Sequence, residues 1–263
     1  MLKIIKDQKK VGVKMSFDYK KSKENIHNIL TSKTKVEKRS IPKNDAEFTY
    51  DNGIKSWIGA IFIDIVDSTS LFKNQNEDII SRVIRSFSSE IIDILKSDDN
   101  LRKLGLRGDS VYAVYSIEYK ADLLSIFRLA YKINTFMKMF NVILKNNQFP
   151  EVYAGIGLGA SEDLVIKAGK KQSGYYDLVF IGDAVVDASN LSGEANRNNL
   201  GSIAMSNIFY NNIIEDLKKE NPKYENWINP KHDNGYGYNS AIKFYHCDII
   251  ETSFNNWIDG GMK

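Results

Sequence analysis

Two acidic residues sit where an acid needs a reason. Asp64 interrupts an apolar, β-branched run, Ile61-Phe62-Ile63-Asp64-Ile65-Val66. A carboxylate there is costly unless a cation, hydrogen bonds or the strand end compensates it. Asp109 follows Gly108 in a hairpin-turn dipeptide between two strand-like stretches. Two carboxylates brought together among oxygen donors suit Mg²⁺ or Mn²⁺ with a triphosphate. The backbone carbonyl of Ile65 offers a further oxygen without using a side chain. Just beyond it, Asp67-Ser68-Thr69-Ser70 carries helix N-cap chemistry. Amides at a helix start attract phosphate, and the macrodipole favours the negative charge. Each residue also has a plain structural reading, as turn former or cap. Their combination on correctly ordered elements is what points to chemistry.

Those elements follow from periodicity. Ile58 to Val66 reads as a buried strand. A helix follows, with Ile79, Ile80, Val83, Ile84, Phe87, Ile91, Ile92 and Leu95 at helical spacing. Leu104 to Ser116 forms two strands around the Gly108-Asp109 turn, and Ala121 to Lys145 a second long helix. Then come a strand over Val152–Leu158, a hairpin of 164–168 with 177–181, and a helix from Asp183. Ser202–Met205 and Ile242–Ile250 add strands. The order is that of an α+β, ferredoxin-like βαββαβ core with extra strands and helices. In such a sheet the first strand neighbours the central hairpin, so the end carrying Asp64 faces the turn carrying Asp109. Ahead of this lie a polar leader (residues 1–15), a short helix from Ser16 to Leu30 and an extended connector over 31–53. The expected division is therefore 1–53 and 54–263.

Composition narrows the classes. An apolar share of 43% with 11% aromatics is enough to bury a globular core, and a net charge of +3 is too small and diffuse to suggest nucleic acid. Cys247 is the sole cysteine, so no intrachain disulfide forms and a reducing compartment fits. The start lacks a signal-peptide run, and Ile58 to Val66 is too short to cross a bilayer. A cytoplasmic protein without membrane insertion is expected. His27, His232 and His246 are scattered, which argues against a zinc or histidine-based centre.

Phe62-Ile63-Asp64-Ile65-Val66-Asp67-Ser68-Thr69 resembles the first metal motif of class III adenylate and guanylate cyclases, and Gly108-Asp109-Ser110-Val111 their second. Gly155-Ile156-Gly157-Leu158-Gly159 resembles the strand after their second long helix. Ile181-Gly182-Asp183-Ala184-Val185 with Ala188-Ser189 resembles a later strand-to-helix motif. The likeness runs from about residue 57 to residue 212. Arg39-Ser40-Ile41-Pro42, Phe48-Thr49-Tyr50-Asp51-Asn52-Gly53 and Asp177-Leu178-Val179-Phe180-Ile181-Gly182 are similar to the stand-alone pyrimidine cyclases of bacterial anti-phage Pycsar systems.

The resemblance implies a homodimer with shared active sites, making cyclic UMP or cyclic CMP from the matching triphosphate for a separate effector protein. It implies two divalent ions, Mn²⁺ or Mg²⁺, on Asp64, Asp109 and the Ile65 carbonyl, one activating the ribose 3′-hydroxyl and one gripping the triphosphate. Phe62 would lie against the nucleotide, and Ser68 and Thr69 would meet its phosphates. Purine cyclases carry a lysine four residues before the second metal aspartate. Gly105 stands there, which favours a pyrimidine, with Arg107 either a base donor or a solvated strand residue. The family's ribose asparagine and basic residue fall on Val186 and Asn190. Asn190 then takes the catalytic position without a full charge, Asp187 replaces the ribose contact, and Arg197 shares the Asn190 face if the helix continues. Two other readings stay open: a non-catalytic nucleotide-binding or interaction domain, and an adenylate cyclase.

Overall fold

In the computed structural model, residues 17–73, 75–171, 174–233 and 241–263 are described. The leader expected over residues 1–15 and the first residue of the early helix lie outside them. The chain opens with α1 (Tyr19–Thr31), capped by Asp18, whose carboxylate accepts from the Lys20 and Lys21 amides. None of its residues is buried, and Tyr19, Ile26, Ile29 and Leu30 stand exposed. Next, β1 (Lys35–Lys38) pairs in parallel with the start of β2 (Asn52–Ile65). The connector is thus more than an extended link: it adds a strand and buries Ile41 and Phe48. The boundary expected between residues 53 and 54 falls within β2, which is one uninterrupted strand.

A short α2 (Ser68–Phe72) precedes α3 (Glu77–Lys96). The long helix is capped by Asn76, whose side chain accepts from the Asp78 amide, not by the Asp67–Ser70 run. Glu77 and Asp78 in its first turn complement the dipole. The hairpin β3 (Leu101–Arg107) and β4 (Ser110–Ser116) follows, then α4 (Lys120–Asn146). Strand β5 (Ala154–Gly169) unites the expected strand and the first arm of the expected hairpin, and β6 (Tyr176–Ile181) pairs back on it. After α5 (Asp183–Glu194) come β7 (Ile203–Met205), α6 (Asn207–Glu220), α7 (Tyr224–Trp227), β8 (Asn229–His232), β9 (Ile242–Cys247) and α8 (Thr252–Asp259).

The sheet order is β3-β4-β2-β5-β7-β9-β8, with β1 on β2 and β6 on β5. Its first four strands pair antiparallel in the ferredoxin-like order. Alternation splits β2 between two cores. Ile61, Ile63 and Ile65 join Val83, Phe87 and Ile91 of α3 and Ile126, Phe127 and Ile133 of α4 on one face. Ile58, Ala60 and Phe62 join Val114, Val165, Ala184 and Ala188 on the other. No helix among the described residues is long and apolar enough to cross a membrane. Cys247 is buried, and burial pushes its thiol up to about 12, so it stays protonated near neutrality.

On the second face, α5 lies against β5 at backbone distance. Gly155, Gly157 and Gly159 point at the Ser192, Ala188 and Ala184 carbonyls, four residues apart on the helix. A Cβ at Gly157 would fall on the Ala188 carbonyl oxygen and the Ser192 amide, which no rotamer change can move aside. At Gly59 the nearest atom would instead be Cδ1 of Ile126, the tip of a flexible side chain. Gly157→Ala is therefore expected to destabilise the chain by about 1–3 kcal/mol or more, and by more than Gly59→Ala. Urea denaturation measures both; equal costs would contradict the backbone contact.

Candidate active site

The register of β2 assembles the site. Ile63 pairs with Val111 of β4, so the next two steps set Asp64 opposite Ser110 and Ile65 opposite Asp109. The Ser110 hydroxyl donates to Oδ1 of Asp64 at 2.6 Å, which fixes that juxtaposition. Backbone groups in an antiparallel strand turn alternately to its two neighbours. The Val66 amide bonds to the Tyr153 carbonyl on the β5 side, and the Ile117 amide to the Trp57 carbonyl on the β4 side. Odd-numbered residues of β2 therefore face β4, and the Ile65 carbonyl is directed toward the turn that holds Asp109. Gly108 takes a left-handed φ of 63° there, the conformation that suits glycine in a tight turn.

Arg197 completes the group. Helix α5 ends at Glu194, and the chain turns through Asn196 at φ 56°. The Asn196 amide nitrogen Nδ2 donates to the Ala154 carbonyl at 3.1 Å, pinning the turn to the start of β5. Arg197 Nη1 donates to the Ser192 and Ala195 carbonyls at 2.9 and 3.1 Å, and Nη2 reaches Oδ2 of Asp64 at 3.2 Å. The condition on which Arg197 would share the Asn190 face, a helix that continues, is not met: Arg197 lies past the helix end, on Asp64. The side chains of both partners are about four-fifths buried (21% and 24% exposed), a setting where such a pair is less screened than on the surface.

The other expected residues divide. Ser68 and Thr69 form the first turn of α2, but Asp67 does not cap it with its side chain. Asp67 is left-handed (φ 51°), and its carbonyl accepts from the Ser70 and Leu71 amides, leaving the Ser68 and Thr69 amides ahead of the helical ladder. Phe62 is only 4% exposed, stacked on Tyr112 with ring centroids 4.9 Å apart and 11° between planes. Its expected face for a nucleotide is thus taken by Tyr112 and the second core. Asn190 is exposed on α5 and Asp187 half-buried, and no hydrogen bond or ion pair among the described residues links either to Asp64 or Asp109. Burial, then the nearby charges of Asp183 and Asp163, raises the Asp187 carboxyl above the usual range.

Sequence reasoning assigned no role to Ser110, though it adjoins Asp109, nor to Asp163. The latter follows Ser161 and Glu162, so its surroundings in sequence give no sign of burial. Asp163 is fully buried; its Oδ1 accepts from the Ser161 hydroxyl, which in turn accepts from the Ala184 amide at 2.6 Å. Its other oxygen has no partner. The chain of bonds ties β5 to the first turn of α5.

Among the described residues, no group of three or more His, Cys, Asp or Glu side chains could hold a metal ion. The protein itself offers two carboxylates and a carbonyl, a hard all-oxygen set that fits Mg²⁺ or Mn²⁺ only with oxygens from a phosphorylated ligand completing the shell.

A ferredoxin-like sheet with these carboxylates at the first strand end and the hairpin turn has the architecture of class III cyclase domains. The adenylyl cyclase CyaB of P. aeruginosa superimposes with a TM-score of 0.60 at 15% identity, covering 74% of this chain and 95% of that one. The guanylyl cyclase Cya2 gives 0.57 at 13%, covering 77% and 97%. At such identities the likeness speaks to fold. No protein-family model matches the chain. A uridylate cyclase of Treponema porcinum is 40% identical over 249 residues, 94% of this chain and 83% of that protein. A uridylate cyclase of Gulbenkiania mobilis is 30% identical over 255 residues, 93% and 96%. The chain belongs to this family of nucleotidyl cyclases.

Asp163 makes a prediction about pH. Burial raises its pKa above the ordinary carboxylate value, so the folded chain binds this proton more tightly than the unfolded chain does. Its stabilising contribution is full below the unfolded pKa and is lost as pH rises through the folded one. Relative to Asp163→Asn, the wild type is expected to lose stability as pH rises above about 4, the ordinary carboxylate value. Thermal melts across that range measure it; parallel profiles would contradict the buried, half-satisfied carboxyl.

Proposed function

We propose that the protein converts UTP, or alternatively CTP, to its 3′,5′-cyclic monophosphate and pyrophosphate. The observation that carries the reading is Asp64, held by Ser110 and Arg197 and one register step from Ile65 and the turn residue Asp109 opposite it. The ribose 3′-oxygen attacks the α-phosphorus in line and gives its proton to water, while the bond from the α-phosphorus to the bridging oxygen breaks and pyrophosphate leaves. Two divalent ions, Mn²⁺ or Mg²⁺, on Asp64, Asp109 and the Ile65 carbonyl would acidify that hydroxyl and neutralise triphosphate charge. Ser110 holds the Asp64 carboxylate in one orientation. Arg197 answers the loss of a basic residue at Asn190: its guanidinium, anchored on two carbonyls, brings a full positive charge beside the reacting phosphate. This weighs against a non-catalytic domain. The Ser68 and Thr69 amides receive phosphate oxygens. Asp187, its pKa raised, donates or accepts at a ribose hydroxyl.

The pyrimidine choice is supported by the names of the two relatives and by Gly105 in place of a purine-reading lysine. The active form is a homodimer with shared sites, and the cyclic product is a second messenger for a separate effector protein in anti-phage defence. Asn190, exposed on α5, faces solvent in one chain and is placed by this reading at the partner's site.

Incubation with each of the four nucleoside triphosphates and Mn²⁺ is expected to give a cyclic pyrimidine monophosphate with equimolar pyrophosphate. Asp64→Asn and Asp109→Asn should each lower kcat at least about 10³-fold, and Arg197→Ala about 10²–10³-fold, with circular dichroism unchanged. No cyclic product from any triphosphate, or full activity in either aspartate variant, would overturn the reading.

A further inference from the structure

We propose that Tyr112 sets the size of the base this site accepts, and that residue 105 is glycine in order to seat its ring. The inference rests on the cyclase reading above and deepens it. Read across the site face, one row of paired residues runs Gly157, Phe62, Tyr112, Gly105. The row lies two residues along β2 and β4 from Asp64 and Ser110, about 7 Å at the rise of an antiparallel strand. A ribose whose 3′-oxygen lies at the carboxylates extends its base over a row at that distance. At the Gly157 end α5 covers the sheet backbone to backbone, so the Tyr112 and Gly105 end is the one left for a base.

The tyrosine ring fills that end. It stacks on Phe62, itself only 4% exposed, and leans across Gly105. A Cβ at residue 105 would lie 2.5 Å from Cζ and 2.6 Å from the hydroxyl oxygen of Tyr112. Gly105 is not among the glycines with a left-handed φ, so its backbone does not demand glycine. Glycine inside a strand weakens it unless something approaches closely, and here that something is the ring. The space beside β3 that a fused second ring would need is therefore occupied, whereas a single-ring base lies over the tyrosine without entering it.

The test is steady-state cyclisation by the full chain with Mn²⁺ and each of UTP, CTP, ATP and GTP. In Tyr112→Ala, the ratio of pyrimidine to purine kcat/KM is expected to fall at least about tenfold, with purine kcat/KM rising, because the excluded volume is gone. Tyr112→Phe keeps the ring and should hold the ratio within about threefold. Should Tyr112→Ala turn over nothing, calorimetric binding of non-hydrolysable UTP and ATP analogues reads the same ratio. Independently, Gly105→Ala should lower the Tm on the wild-type background and not on the Tyr112→Ala background. An unchanged base ratio in Tyr112→Ala, by turnover or by binding, overturns the role of Tyr112 alone. A wild type that cyclises purines as well as pyrimidines overturns the proposed function itself.

Discussion

Strand β2 is hydrogen-bonded on both sides, and its register decides where one carboxylate goes. A slip of a single residue would turn Asp64 into the apolar face under α3 and α4, among Ile61, Ile63 and Ile65. In the observed register Asp64 meets Ser110, Ile65 meets the turn at Asp109, and the neighbouring even-numbered residues fill the second core. The apolar residues that hold this register are the ones the helices cover. Core packing and chemistry are therefore set by one alternation, and neither can be changed alone.

The glycines of β5 extend that control to the far side of the site. They let α5 lie on the sheet without intervening side chains, so its end is fixed by backbone contact. The turn after it is tied down by Asn196, and Arg197 is aimed at Asp64 from there. At the other end of the helix, Ser161 and the buried Asp163 hold the Ala184 amide. A cation thus arrives at Asp64 from the segment beyond the end of α5.

Much of this was legible from the residues. The βαββαβ order, the hairpin turn at Gly108-Asp109 and the proximity of the two aspartates follow from periodicity and turn chemistry, which are local signals. Helix ends are also local, yet the run Asp67-Ser68-Thr69-Ser70 was a stronger N-cap pattern than Asn76; the left-handed Asp67 diverts it into the separate short α2. Strand β1 was hidden because its partner is β2 and its own sequence is polar. The resemblance put Phe62 against the nucleotide, and sequence does not show that Tyr112 of the neighbouring strand covers it. The same blindness concealed why residue 105 is glycine: the cause is the ring of Tyr112 on the next strand. Arg197 is legible as a residue and its geometry is not, since its position depends on where α5 stops.

Fold and family agree on a nucleotidyl cyclase, and the site's own features say how such chemistry would be run here. The register sets the strand end carrying Asp64 and Ile65 against the turn carrying Asp109. A guanidinium from beyond α5 pairs with Asp64, and the proposed function gives it the charge that Asn190 lacks. The most direct measurement is a crystal structure with Mn²⁺ and a non-cyclisable UTP analogue, read by the anomalous signal of the metal. The expected result is manganese bound by Asp64, Asp109 and the Ile65 carbonyl together with triphosphate oxygens, with the Arg197 guanidinium on the phosphate side. Manganese bound elsewhere, or a triphosphate lying away from both aspartates, would contradict it.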